Sequence, residues 1–255
     1  MDTVFIIGMA GSGKSQLTAA LRTYLDEEGI DVLTLNLDPA VRNLPYVPDL
    51  DVRDYVSYDK LMEEQELGPN AALVAVIDQI ALEIERIEQP LLETEPQIVL
   101  IDTPGQLELF AFRQAGTFIM QHLHAEHKAV LYIFDAIFSR LPHNFTANLL
   151  LSTAAQLVHG LPQINVLNKV DMLEEEQVEE MLEWAQNPQS LSEALLNLPE
   201  PRRVYFTGIH EAIDEAGLYV GLVPVSALTL YNISGLYAEI SRLFYGGEMG
   251  PSYSP

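Results

Sequence analysis

Gly8-Met9-Ala10-Gly11-Ser12-Gly13-Lys14-Ser15 holds, in eight residues, the means to bind a phosphate and a hard cation together. The spacing G-x-x-x-x-G-K-[ST] lets glycines curl the backbone until successive N–H groups point inward at an anion. Lys14 then reaches the outer phosphates and the Ser15 hydroxyl is free to hold Mg²⁺. Ala10, Gly11, Ser12, Gly13, Lys14, Ser15 and Gln16 are the expected phosphate contacts. The loop has the flanks such a site needs. Val4 to Ile7 reads as a buried strand, and Gln16 to Glu28 as a helix with Leu17, Ala20, Leu21 and Leu25 on one face. The helix N-terminus adds its dipole to the anion site.

Asp102-Thr103-Pro104-Gly105-Gln106 closes another apolar run, Ile98 to Ile101. An Asp at a strand end beside a phosphate loop is placed to hold Mg²⁺ directly or through water. The Gly105 N–H has no Cβ beside it and is free to approach a γ-phosphate. Taken alone, the segment also fits an ordinary strand-ending turn. Asn168-Lys169-Val170-Asp171 ends a further strand. A carboxylate there pairs with a base that offers an N–H beside an amino group; guanine does and adenine does not. The Lys169 stem is long enough to lie over the base plane. The plainer account makes Asp171 the cap of a helix from Leu173 to Trp184. Ser226-Ala227-Leu228 follows the last strand, where the Ser226 and Ala227 amides are candidates to meet the base.

Continuous apolar strands alternate with amphipathic helices along the chain. Strands are expected at Val4 to Ile7, Val32 to Leu37, Ile98 to Ile101, Ala129 to Phe134, Gln163 to Leu167 and Leu222 to Val225. Helices are expected at Val52 to Gln65, Ala71 to Ile87, Phe145 to Val158 and Gly235 to Phe244. This is the pattern of an α/β fold, a mostly parallel sheet flanked by helices on both faces. Asn43 to Asp51, with Pro45 and Pro48, reads as a long loop. Two stretches exceed the minimal alternation and read as insertions in a single domain of residues 1–245. One covers 39–96. The other covers 172–221 and is expected to be helical early and loop-rich around Pro199 and Pro201. Residues 246–255 read as a frayed tail.

With 255 residues, 48% of them hydrophobic, the chain can bury a large core. It has no Cys, so disulfides and thiolate metal sites are excluded. The first apolar run lacks a basic flank and reads as a strand rather than a leader, and no apolar helix pattern is long enough to span a bilayer; a cytoplasmic protein is expected. Acidic residues number 37 against 13 basic ones, for a net charge of −24, which opposes a broad nucleic-acid footprint. That charge suits either a high-salt cytoplasm or simply a strongly solvated surface. His122, His124 and His127 do not share one helical face and read as surface or helix-end residues.

The motifs run in the order G-x-x-x-x-G-K-S, D-x-x-G, N-K-x-D, S-A, which resembles P-loop GTPases. Leu37-Asp38-Pro39-Ala40, the run Tyr46 to Tyr55 (YVPDLDVRDY), Gly68-Pro69-Asn70, and Asp102 to Phe110 (DTPGQLELF) sharpen the likeness. Together they resemble the GPN-loop GTPases in their archaeal single-domain form, within the SIMIBI class of the P-loop NTPase fold. The likeness covers nearly the whole chain and is weakest from Glu174 to Leu218. It implies a Mg²⁺-dependent GTPase turning GTP into GDP and phosphate. It implies a homodimer in which Gly68-Pro69-Asn70 of one subunit enters the other's site, with Asn70 near the γ-phosphate. By the residues alone, Gly68 closes one helix and Asn70 caps the next at Ala71. The likeness also places Asp38 in the switch that senses γ-phosphate, and Gln106 and Glu108 near the attacking water. Lys14, Asp38, Asn70, Asp102, Gln106 and Glu108 are then the candidate catalytic residues, and Ser15, Asp38 and Asp102 the candidates at the metal. Spacing does not choose one general base among Asp38, Gln106 and Glu108. Leu228 departs from the Lys that often follows Ser-Ala in GTPases. Nucleotide state would control conformation and the binding of an unknown protein client, with RNA polymerase assembly an analogy from the eukaryotic members. A slow hydrolase acting chiefly as an assembly factor is the second reading.

Overall fold

The residues Val4 to Ile7 and Ile98 to Ile101 are buried along their whole length. Strands reach that state only in the middle of a sheet covered on both faces. The computed structural model describes residues 1–217 and 221–246; residues 218–220 and the tail from 247 onward lie outside the described residues. The chain runs β1 (Asp2–Gly8), α1 (Lys14–Glu27), β2 (Val32–Asn36), β3 (Leu50–Asp51), α2 (Tyr58–Glu64), α3 (Pro69–Leu82) and α4 (Ile84–Thr94). It continues with β4 (Ile98–Asp102), α5 (Leu107–Ala111), α6 (Gln114–His122), β5 (His127–Asp135), α7 (Ala136–Ser139) and α8 (Pro142–His159). The remainder is β6 (Gln163–Asn168), α9 (Glu175–Gln186), α10 (Pro188–Leu196), α11 (Arg202–Glu215), β7 (Leu222–Val225) and α12 (Ile233–Tyr245).

The strands form one seven-stranded sheet in the order β3-β2-β4-β1-β5-β6-β7, and every pairing is parallel. Successive side chains of a strand point to opposite faces, and the core divides accordingly. Val4, Ile6, Leu100, Leu131, Ile133 and Val166 pack with Leu17, Leu21 and Leu25 of α1 and Leu236 and Ile240 of α12. Phe5, Ile7, Val99, Ile101, Tyr132 and Phe134 face the other way, against Val76 and Ile80 of α3, Ile119 of α6, Leu149 of α8 and Trp184 of α9. The register brings the polar strand ends level. Ile6, Asp102 and Asn36 form one row, and Asp135, Asn168 and Val225 another. Both rows lie at the C-terminal edge, where open parallel sheets hold ligands.

Four expectations are corrected here. The sheet has a seventh strand, because Leu50 and Asp51, expected as loop, pair with Leu35 and Asn36. The helix expected over 71–87 breaks at Glu83, whose N–H bonds both Gln79 and Ile80 carbonyls. The apolar stripe passes through that break from Val76 and Ile80 to Ile84, Ile87 and Leu91, so periodicity alone does not reveal it. The stretch expected to be loop-rich around Pro199 and Pro201 is mostly helical, as α10 and α11. Its prolines stand before a helix rather than inside one, where a missing N–H costs nothing. Finally, Asn70 does not cap α3: Gly68 is the N-cap and Pro69 the first helical residue.

Candidate active site

The phosphate loop leaves β1 and turns into α1 through Gly13, whose φ of 96° is left-handed. Lys14 opens the helix and is buried. Its Nζ donates to the carbonyls of Gly8 at 3.0 Å, Met9 at 3.2 Å and Gly105 at 3.3 Å. Burial lowers its pKa, and the carboxylates of Asp102 and Asp38 oppose that fall. Beside it lies a cavity of about 530 Å³ lined by Gly11, Gly13, Ser15, Gln16, Asp38 and Gly105, among others. That volume suits a small-molecule ligand.

Asp102 stands at the end of β4 and is buried. Burial pushes its carboxyl up to about 6, against the opposing pull of the Ser15 and Tyr46 hydroxyls and the Lys14 ammonium. Tyr46 donates to Oδ2 at 3.1 Å. Oδ1 is buried without a hydrogen-bond partner. An unpartnered buried carboxylate oxygen beside a serine hydroxyl fits a hard, oxygen-seeking cation, and Mg²⁺ needs no more than one or two carboxylates once phosphates and waters complete its shell. Among the described residues no group of three or more His, Asp or Glu is placed to hold a metal by itself. Asp38 bridges two loops instead. Its Oδ1 accepts the Ala40 N–H and its Oδ2 the Gly105 N–H, each at 3.0 Å. The amide expected to meet a γ-phosphate is thus paired with a carboxylate.

The second row of strand ends braces the phosphate loop from outside. Asn168 donates to Ser12 O at 3.0 Å and accepts the Ala227 N–H at 3.1 Å. Lys169, with φ of 70°, sends Nζ to Gly11 O at 2.6 Å and Asp135 Oδ2 at 2.7 Å. Asp171 lies exposed in a one-turn 3-10 helix, Val170–Met172. It does not cap α9: Glu174 does, in a reciprocal pair with Gln177. With the capping role gone, the Asp171 carboxylate has no structural task among the described contacts. Ser226 is buried, its Oγ accepting the Thr229 N–H at 3.1 Å. Gln106 and the exposed Glu108 lie just before and within α5 and do not line the cavity.

The sequence profile of a family described as conserved hypothetical ATP binding protein matches residues 6–246. GPN-loop GTPase PAB0955 of Pyrococcus abyssi is 38% identical over 181 residues, which cover 69% of this chain and 70% of that protein. Its crystal structure, titled a GTPase in apo form, matches with a TM-score of 0.84 at 31% identity, over 95% of this chain and 97% of that one. The chain belongs to the GPN-loop GTPase family. GPN-loop GTPase 1 of Dictyostelium discoideum is 32% identical over 93% of this chain but only 60% of its own length. Its Saccharomyces cerevisiae counterpart is 34% identical over 68% of the chain and 46% of its own length. The chain therefore spans about half the length of these eukaryotic relatives.

In this chain the tripeptide Gly68-Pro69-Asn70 is exposed, forms the start of α3, and does not line the chain's own cavity. The Tyr58 hydroxyl donates to Pro69 O at 3.3 Å and steadies the turn. Three residues of the site escaped sequence reasoning. Asp135 closes β5 as Asp102 closes β4, so a polar strand end was the available signal. Thr103, whose Oγ1 donates to Ile6 O at 2.7 Å, is hidden inside a turn motif. Tyr46 opens a run that marks the family likeness, but nothing local to it points to its contact with Asp102.

Proposed function

We propose that residues 1–245 form a single GTP-binding domain, with 39–96 and 172–221 as insertions, that hydrolyses GTP to GDP and phosphate with Mg²⁺. The observation that carries this reading is the docking of the Asn168-to-Asp171 element on the phosphate loop. Asn168 and Lys169 spend their polar groups on Ser12 and Gly11, and Asp171 is left to face solvent. A free carboxylate there suits the paired N–H and amino group of guanine, whereas adenine has no ring N–H beside its amino group. This favours GTP over the ATP named in the family description.

Ser15 and Asp102 would hold Mg²⁺, which when bound neutralises charge on the β- and γ-phosphates. The chain's own work is positioning and electrostatics. The loop amides and Lys14 surround the phosphates in a buried setting where each donor counts for more than in water. Burial lowers the pKa of Lys14, and an incoming phosphate would favour its charged form. A γ-phosphate that takes the Gly105 N–H must displace Asp38 Oδ2. That exchange would move the loop bearing Asp38 and so make conformation depend on nucleotide state. Gln106 and Glu108 lie on the segment just beyond Gly105 and would approach the attacking water only after such a movement.

The exposed Gly68-Pro69-Asn70 turn is outside the chain's own cavity, which supports its use on a second copy. Leu82 at the far end of the same helix is 86% exposed, in keeping with a helix made to meet a partner. A homodimer, an intracellular setting and a protein client, whose identity would follow from nucleotide-dependent capture, complete the proposal. Slow hydrolysis serving assembly is the second reading, favoured by exposed Leu150, Leu157 and Val158 on α8.

Mixing hydrolysis-deficient Lys14→Ala with Asn70→Ala subunits tests the core of the scheme. Mixed dimers contain one intact composite site, so partial GTPase activity should return. No recovery in demonstrated heterodimers defeats action across the dimer. Equal competition by GTP and ATP against a fluorescent GDP defeats the guanine assignment.

A further inference from the structure

The proline loop between β2 and β3 is stapled at both ends. On one side Arg22 of α1 forks onto Asp49, with Nη2 to Oδ1 at 3.0 Å, and Nη1 reaches Val47 O at 3.1 Å and Thr34 Oγ1 at 2.8 Å. Asp49 also accepts the Thr34 N–H at 2.8 Å. On the other side Arg53 donates to Asp51 Oδ1 at 2.8 Å and to Val41 O at 2.9 Å, while Asn36 joins Asp51 Oδ1 at 3.0 Å to Asp38 O at 3.2 Å. Between the staples, Asn43, Leu44 and Pro45 line the nucleotide cavity. Tyr46 follows them and turns inward, its hydroxyl reaching Asp102 Oδ2 at 3.1 Å, 56 residues away in sequence.

Asp102 has one oxygen held by this contact and the other buried without a partner. A carboxylate fixed at one oxygen cannot swing without breaking that bond. The remaining oxygen is therefore presented in one direction. Groups that hold a ligating carboxylate by hydrogen bonds set its orientation and its affinity for the metal. We propose that Tyr46 is a positioning residue for the cation site, fixing Asp102 so that Oδ1 faces the Mg²⁺ that accompanies the nucleotide. Through the same bond the proline loop, which lines the cavity, is tied to the carboxylate that would ligate the metal. The proposal rests on the GTP and Mg²⁺ reading given above.

Tyr46→Phe removes the hydroxyl and keeps the ring. Fluorescent GDP and a non-hydrolysable GTP analogue are titrated onto wild type and variant, in EDTA and across a Mg²⁺ series. The Mg²⁺ concentration giving half of the affinity gain should rise about 10- to 100-fold in the variant. Affinity in EDTA should move less than about two-fold, since the hydroxyl touches no phosphate-loop group. In an Asp102→Asn background, adding Tyr46→Phe should then change nothing further, because the pair acts as a unit. An unchanged Mg²⁺ requirement overturns the proposal. So does an affinity loss of equal size with and without Mg²⁺, which would mark a loop-packing role. If wild type itself shows no Mg²⁺ effect on nucleotide binding, the reading beneath it fails instead. A single cooperative thermal transition in EDTA, with a midpoint lowered by no more than the loss of one hydrogen bond to a buried carboxylate, confirms that the variant is folded.

Discussion

The two ends of the candidate site are built on opposite principles. At the base end, polar groups meet fixed partners. Both ends of the Asn168 amide are used, Lys169 is held by Gly11 O and Asp135, and the Asp135 Oδ1 caps α7 by accepting the Ile137 and Phe138 N–H groups. These residues sit on strand ends whose register is locked. At the phosphate end Asp102 also closes a strand, but the other groups come from loops and the first turn of α1, and the Ser12 hydroxyl and Asp102 Oδ1 are buried with no partner. Lys14 leans on backbone carbonyls and the Gly105 N–H on Asp38. A buried polar group left unpaired costs about 1–3 kcal/mol, so a fold keeps such groups where a ligand is to satisfy them. On the proposed reading, the base end would be a finished socket and the phosphate end the part left to rearrange.

Removing the charge at the poised end should have the largest effect. Lys14→Ala should lower single-turnover GTP hydrolysis by about 10²–10³-fold, the cost of losing one preorganised donor to developing charge. Turnover close to wild type would place the chemistry elsewhere. Next is the residue where the two ends touch. A Cβ at Gly13 would collide with Asn168 Nδ2, at a φ that L side chains avoid. Gly13→Ala should therefore damage both ends together. Left-handed strain and a displaced hydrogen bond together cost roughly 2–4 kcal/mol, read as a lower unfolding midpoint and weakened binding of GDP and GTP alike. An effect on GTP alone would mean the ends are not coupled through this glycine.

What could be read before the structure, and what could not, follows the same division. Gly8 to Ser15 and Asn168 to Asp171 are local patterns, each putting a strand end, a turn and a helix or 3-10 start within a few residues. The sheet was legible because buried parallel strands must be continuous apolar runs. The break at Glu83 was invisible because the core stripe needs the same spacing on either side of it. The helix α11 was masked by Pro199 and Pro201, which read as loop until their place ahead of a helix is seen. Leu50 and Asp51 are too short a strand to show a period. Tyr46 and Asp135 belong to the site through partners 56 and 34 residues away, and no local pattern records a distant contact.

The half-paired carboxyl at the phosphate end offers a pH test. Folding lifts Asp102 from its ordinary value to about 6, so between about pH 4 and 6 the folded protein binds more protons than the unfolded chain. Stability then falls as pH rises through that window, and the contribution is fully lost above it. Asp102→Asn removes the titration while preserving shape. In EDTA, the stability of Asp102→Asn relative to wild type should grow by roughly 1–3 kcal/mol from pH 4 to pH 7. A pH-independent difference would show that the phosphate end is not holding its carboxylate at a cost.

The smallest expected effect probes the finished end. Asp135→Asn keeps an oxygen to cap α7 and replaces the oxygen facing Lys169 with an amino group. The pair is partly exposed, with side-chain exposures of 30% for Lys169 and 17% for Asp135, so its loss is screened and worth only about 0.5–1 kcal/mol. Lys169 remains tethered to Gly11 O. Affinity for GDP and GTP should therefore fall by the same factor, about 2- to 5-fold. Turnover at saturating GTP should hold, because the base end contributes equally to the bound substrate and the transition state. Equilibrium binding of both nucleotides, set beside single-turnover rates, reads the split directly. A variant that binds GDP normally and loses only GTP, or that loses turnover at saturation, would show that the base end also responds to the γ-phosphate. The contrast between a fixed socket and a poised end would then have to be abandoned in favour of one site that moves as a whole.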